Sequence, residues 1–165
     1  MAAYSLSNLG VKYIKAGFFG IKKRKHALKL GKSIVRALNG SEAVFAAYGD
    51  YSIIDSIPPF ELIDVAEECG ASVVMIDTKN KNGKNLLDYM NMQELKRFVE
   101  VSHEKGLKVA LAGSLDKTSI SKLSEIKPDI IGVRGAVCRG NDRTKGISIE
   151  RIRELKSLSS EHFFV

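Results

Sequence analysis

The stretch Ser72-Val73-Val74-Met75-Ile76-Asp77-Thr78-Lys79-Asn80-Lys81-Asn82-Gly83-Lys84 decides how this chain reads. Its first five residues are a strand-sized apolar run, and a carboxylate and several amines stand directly at the end of it. Further along, Leu111-Ala112-Gly113-Ser114 and Gly132-Val133-Arg134-Gly135-Ala136 repeat the arrangement, an apolar run followed by a glycine-bearing polar turn. Acid, amine and glycine-rich turns at the ends of successive strands are what a parallel α/β protein uses to hold a phosphorylated carbonyl compound.

Strand-like runs begin near Val11, Ala43, Ser72, Leu107 and Asp129, and a helix-period segment follows each. That alternation calls for parallel crossovers, hence an α/β fold. Pro58-Pro59 opens a helix from Phe60 to Cys69, which Gly70 closes where a left-handed residue is tolerated. Asn91-Met92-Gln93-Glu94 is a capping box for a helix running to about Lys105 and stopped by Gly106. Two more helices are expected over Asp116 to Ile126 and Ile149 to Leu158, with Lys127-Pro128 breaking helix from strand. Nothing marks a linker or a second domain, so residues 1–165 read as one domain.

Size and composition bound the function. With 165 residues, 44% hydrophobic and 27% charged, the chain is too apolar to be disordered. Its apolar stretches fall far short of the ~20 residues that span a bilayer. The start Met1-Ala2-Ala3-Tyr4-Ser5 is no signal peptide, which points to a cytoplasmic protein without a membrane partner. Cys69 and Cys138 lack metal-ligand spacing and are expected to be reduced; His26, His103 and His162 have no partner spacing, so no metal is expected. The net charge of +7 and the run Lys22-Lys23-Arg24-Lys25-His26 raise the question of nucleic acid. However, Ala27, Leu30, Ile34, Val35 and Leu38 follow at helical spacing, leaving Lys25, Lys29, Lys32 and Arg36 on a solvated face. The charge suits attraction of anionic metabolites better than a nucleic-acid partner.

In Tyr13-Ile14-Lys15-Ala16-Gly17-Phe18, Ile14, Ala16 and Phe18 suit a helix-covered face, which turns Lys15 inward. An inward lysine on a central strand is a functional candidate, because lysine is almost never buried without a partner. Asp77 stands at a strand's C-terminal end with Lys81 in the adjoining loop, where a carboxylate can pair with an amine and tune it for acid, base or Schiff-base chemistry. Lys79 and Lys84 compete for those roles, although each also reads as a solvated loop lysine in a turn of the Asn-Gly kind. Gly113, Ser114, Arg134 and Gly135 are the phosphate candidates: glycine admits close backbone approach, serine a hydroxyl, arginine charge.

Val74-Met75-Ile76-Asp77-Thr78, Lys81-Asn82-Gly83-Lys84, Gly106 to Ser114 and Asp129 to Cys138 resemble the (5-formylfuran-3-yl)methyl phosphate synthase family of methanofuran biosynthesis. Tyr13-Ile14-Lys15-Ala16-Gly17 fits its fourth strand, and the resemblance runs from about Ser5 to Lys156. It implies a (β/α)8 barrel, a carbon-oxygen lyase that condenses two molecules of glyceraldehyde 3-phosphate with loss of phosphate and water, without an organic cofactor. It further implies that Lys15 transfers protons, that Asp77 and Lys81 are active-site positions, and that the Schiff-base amine is a lysine on the second strand.

Only five βα units are legible where that barrel has eight, and barrels of this class run to roughly 200 residues or more. A partial barrel lacking the first strands, the Schiff-base strand among them, is therefore expected. It would act as a homo-oligomer, one that could need a complementing N-terminal segment. The alternative is an open doubly wound sheet, since five units suit that fold as well. Lys79 reproduces an Asp-x-Lys spacing with Asp77 and is a local candidate for the amine, although it projects from a different place than the missing strand. Two other functions stay open, a sugar-phosphate isomerase or epimerase using Asp77 and Lys15, and a non-catalytic module that binds phosphorylated metabolites.

Overall fold

A computed structural model describes residues 2–157; the expected helix end at Leu158 and the residue His162 lie outside them. A short helix α1 (Ala2–Ser7) leads into five alternating units: β1 (Tyr13–Gly17), α2 (Arg24–Arg36), β2 (Glu42–Tyr48), α3 (Pro59–Cys69), β3 (Val73–Asp77), α4 (Met92–Glu104), β4 (Lys108–Leu111), α5 (Lys117–Ser124), β5 (Ile130–Ile131) and α6 (Ile149–Ser157). The boundaries follow local chemistry. Gly70 caps α3 at φ 75°, the left-handed conformation that costs glycine nothing. At α4 the Glu94 N–H donates to Asn91 Oδ1 at 2.9 Å and the Asn91 N–H to Glu94 Oε2 at 2.8 Å, which closes the capping box. Asp116 caps α5 by accepting from the Ser119 N–H at 2.8 Å.

The strands lie parallel in the order β1-β2-β3-β4-β5. A doubly wound sheet requires strand order to reverse at a switch point, with helices on both faces. Neither feature is present among the described residues, which corrects the open doubly wound alternative. The outward-facing residues Phe45, Ala47, Val74, Ile76, Val109 and Leu111 form one apolar core with helix residues such as Ala27, Leu62, Phe98, Ile120 and Leu123. Burying each large side chain of that core contributes about 1.5–3 kcal/mol before entropy. The opposite face is a separate cluster of strand residues alone, Val44, Ala46, Val73, Met75, Ala110 and Ala112, with Tyr13 and Ile130 packed against it. Sequential order with α2 to α6 all on one side is an arc of a (β/α)8 barrel, and the sheet is open rather than closed into a ring.

Two side-chain patterns carry the site. Ile14 and Phe18 are buried on the helix side, which turns Lys15 onto the inner face as its spacing predicts. In β2 the same alternation sends Val44, Ala46 and Tyr48 inward.

Candidate active site

A cavity of about 510 Å³ opens at the C-terminal ends of β1, β3, β4 and β5. Lys15, Asp77 and Lys81 line one wall. Gly113, Ser114, Arg134 and Gly135 line the other. Lys15, Asp77, Lys81, Gly113, Ser114, Arg134 and Gly135 therefore meet at one place, although they span about 120 positions of chain.

Asp77 organises the first wall. Lys15 Nζ donates to Asp77 Oδ2 at 2.6 Å, Lys81 Nζ to Oδ1 at 3.3 Å, and the Thr78 N–H to Oδ1 at 2.8 Å. Burial by itself would push the Asp77 carboxyl up. The hydrogen bond and charge of Lys15, then the charge of Lys81 and the Thr78 N–H, outweigh that and hold it below the usual carboxylate range. The carboxylate is 20% exposed and Lys15 44%, so the ammonium, already oriented, still faces the cavity. Lys81 is used differently. It folds back to donate to the Thr78 carbonyl at 2.6 Å and to Thr78 Oγ1 at 3.1 Å, which shapes the loop around itself.

Lys79 and Lys84 do not join this cluster. Lys79 Nζ lies 4.7 Å from the Phe19 ring centroid and Lys84 Nζ 5.7 Å from that of Tyr89, each held over an aromatic face. A buried carboxylate explains the path of Lys79: Asp50, 1% exposed, accepts the N–H groups of Lys79 and Asn80, both at 2.9 Å, and pins the start of the β3 loop. Tyr48 completes this side. Its phenol is held above the ordinary value by burial first and then by the charges of Asp77 and Asp50, so it stays an O–H donor. Its hydroxyl fills the space over Gly17, where an added Cβ would lie 2.2 Å away.

On the second wall, Gly113 adopts φ +120°, and an added Cβ would stand 2.8 Å from Thr78 Cγ2 and 3.1 Å from the Thr78 N. Only glycine lets the β4 loop press so closely on the β3 loop. Ser114 follows at φ +52°, a left-handed non-glycine whose hydroxyl has no partner among the described residues. Backbone held in that region costs on the order of 1–3 kcal/mol and collects at ligand sites. Gly135 opens a single 3-10 turn over Gly135–Val137, whose first N–H groups have no acceptor within the turn. Donors, a hydroxyl and the Arg134 guanidinium there suit an anion such as phosphate.

Sequence reasoning missed Tyr48, Asp50, Asn141 and Arg143. Tyr48 ends β2 and Asp50 follows it, so the strand-end rule that found Asp77 would also have found them. Asn141, which ends a short 3-10 turn, and Arg143 in the loop after it line the cavity with no periodicity to flag them. Both cysteines are free thiols, and no group of histidine, cysteine, aspartate or glutamate among the described residues forms a metal cluster. No described helix is long and apolar enough to cross a membrane.

Comparison with known proteins places the chain in a family. The family model for 4-HFC-P synthase matches residues 1–156. A (5-formylfuran-3-yl)methyl phosphate synthase from Methanocaldococcus jannaschii is 40% identical over 163 residues, covering 96% of this chain and 69% of its own. The protein of the same name from Methanosarcina barkeri is 42% identical over 159 residues, 94% of this chain and 68% of its own. Among solved structures, thiamine phosphate pyrophosphorylase from Pyrococcus furiosus overlaps 95% of this chain and 89% of its own at 14% identity and a TM-score of 0.42, a likeness too weak to inform function. Sequence likeness over nearly the whole chain thus joins strand order and cavity in one answer: the chain belongs to the (5-formylfuran-3-yl)methyl phosphate synthase family.

Proposed function

We propose that this chain takes part in condensing two molecules of glyceraldehyde 3-phosphate to (5-formylfuran-3-yl)methyl phosphate, a carbon-oxygen lyase step of methanofuran biosynthesis. Two trioses minus one phosphoric acid and two waters leave the six carbons of the furan product, so no oxidant or reductant is required. The chemistry reduces to imine formation, proton transfers beside a carbonyl, one carbon–carbon bond, one ring-closing carbon–oxygen bond, and elimination of phosphate and water. The observation that carries this reading is the single cavity in which a paired ammonium and carboxylate face a glycine, serine and arginine wall.

A triose phosphate would lie with its phosphate against Gly113, Ser114, Arg134 and Gly135 and its carbonyl end toward Lys15. Lys15 would deliver and remove protons, with Asp77 holding the ammonium in position and balancing its charge. Lys81 adds positive charge beside Asp77 and fixes the loop. The Schiff-base amine would come from a complementing N-terminal segment, since Lys79 is held over Phe19 and away from Asp77.

Borohydride reduction with glyceraldehyde 3-phosphate tests the assignment. This chain alone should give no covalent adduct by mass spectrometry. Adding the N-terminal strands of a relative should bring trapping and furan product, detected by ultraviolet absorbance. Efficient trapping on the chain alone would move the amine to a local lysine. Solvent deuterium entering the triose with no furan product would replace condensation by isomerisation.

A further inference from the structure

Two guanidiniums share the β5 side of the cavity, and the arrangement asks for a ligand. Arg134 leaves the end of β5, and Arg143 returns to the same wall on an arm over residues 138–147. The arm is folded back on itself by the antiparallel bridge of Cys138 with Ile147, by the Arg139 N–H donating to the Gly146 carbonyl at 3.1 Å, and by the Ser148 N–H donating to that of Val137 at 2.8 Å. Arg134 Nη2 reaches the Arg143 carbonyl at 3.5 Å, a long contact that sets one guanidinium beside the backbone of the other arginine.

Neither arginine forms an ion pair among the described residues, whereas Lys15 and Lys81 on the facing wall both pair with Asp77. The acids nearest by sequence and cavity position are engaged elsewhere. Asp142 Oδ1 accepts from the Thr144 N–H at 3.0 Å and Thr144 Oγ1 at 2.7 Å; Asp116 Oδ1 accepts from the Ser119 N–H at 2.8 Å and Ser119 Oγ at 2.6 Å. Like charges on one wall repel, and an anion between them turns that repulsion into attraction.

We propose that Arg143 is a second phosphate-binding guanidinium, closing over the phosphate received by Arg134, Ser114 and Gly135, and that the 138–147 arm delivers it. The inference rests on the phosphate reading above and deepens it. A phosphate monoester carries about −1.5 to −2 charges at neutral pH, so a single arginine leaves it under-neutralised in a partly enclosed site. A second planar fork supplies the missing charge and further donors in matching geometry. Arg151 is the positioning residue for the arm: its Nη1 donates to the Ala136 carbonyl at 3.4 Å and to Asn141 Oδ1, tying the arm to α6. The ligand class is a small phosphorylated aldehyde, and inorganic phosphate is the minimal probe.

The test is an NMR titration of the chain with inorganic phosphate, comparing the unmodified protein with Arg143→Gln, Arg143→Lys and Arg134→Gln. Arg143→Gln should weaken phosphate about tenfold, and Arg143→Lys, which keeps charge but loses the fork, should fall between. In ligand-free Arg143→Gln the Lys15 and Asp77 resonances should stay in place, separating loss of a ligand contact from a rearranged site. Binding by Arg143→Gln equal to that of the unmodified chain, with Arg134→Gln weakened, would overturn this inference and leave the phosphate site standing. No response of the unmodified chain to phosphate would overturn both. Should Arg143→Gln fail to fold, Arg143→Lys carries the comparison, and binding undiminished there at low and moderate salt overturns the two-guanidinium site.

Discussion

The two walls of the cavity hold positive charge in opposite ways. On the β1 and β3 side each amine is matched to Asp77, in contacts of 2.6 and 3.3 Å, and a buried Asp50 fixes the loop from behind. On the β5 side two arginines form no ion pair among the described residues, beside a strained serine and a glycine turn. A matched wall is complete before substrate arrives and suits groups that must exchange protons without moving. An unmatched wall is the one the proposed phosphate would complete. On the proposed reading, the difference would orient a phosphorylated aldehyde along the cavity, anion toward β5 and carbonyl toward Lys15.

The strongest way to break the contrast is to unpair the first wall. Lys15→Met in the complemented enzyme should lower turnover by about 10²–10⁴ while leaving phosphate affinity nearly unchanged, read by steady-state kinetics beside phosphate titration. The same variant changes the pH behaviour of Asp77. In the unmodified chain the depressed carboxyl contributes stability above the ordinary aspartate value, near 3.9, and that contribution disappears as pH falls through the folded value. Without Lys15 the largest lowering influences are gone, so the carboxyl rises and the stability lost on acidification shrinks. A carbon-13 titration of the Asp77 carboxyl decides this, and an unmoved titration would show that Lys15 does not govern it.

Next in size is the contact that joins the walls. Gly113→Ala forces a Cβ against Thr78 at a φ that alanine avoids, and should cost about 3 kcal/mol in denaturant unfolding. Asp50→Asn should cost about 2 kcal/mol, because its amide can accept only one of the two backbone N–H groups and leaves the other buried. It should also loosen Lys81 and let the Asp77 carboxyl rise, visible in the same carbon-13 experiment. Smallest is Arg134→Gln, with about a tenfold loss of phosphate affinity, roughly 1.4 kcal/mol, and no change in the Asp77 titration. A variant of one wall that disturbed both readouts equally would erase the distinction between them.

Much of this was legible without coordinates because it is local. The Asn91 to Glu94 capping box, Gly70 as a left-handed stop and the alternation that turns Lys15 inward depend only on neighbours within a few residues. Strand ends located Asp77, Gly113 and Arg134 for the same reason. What stayed hidden depends on chain returning from a distance. The spacing of Asp77 and Lys79 left Lys79 open as an amine, but Phe19, sixty positions earlier, holds it elsewhere. Arg143 lies in a loop without periodicity, and only the fold-back of the arm brings it to Arg134.

Hydrophobic period, caps and turn residues were enough to determine the elements, their parallel pairing and which side chains face inward, because those follow from backbone geometry within one or two turns of chain. The choice between an arc of barrel and a doubly wound sheet was made by strand order and by helices gathering on one face, which no local pattern encodes. Tertiary structure alone also decided which lysines reach Asp77 and which arginines form no ion pair among the described residues, since charge pairing is a matter of distance in space.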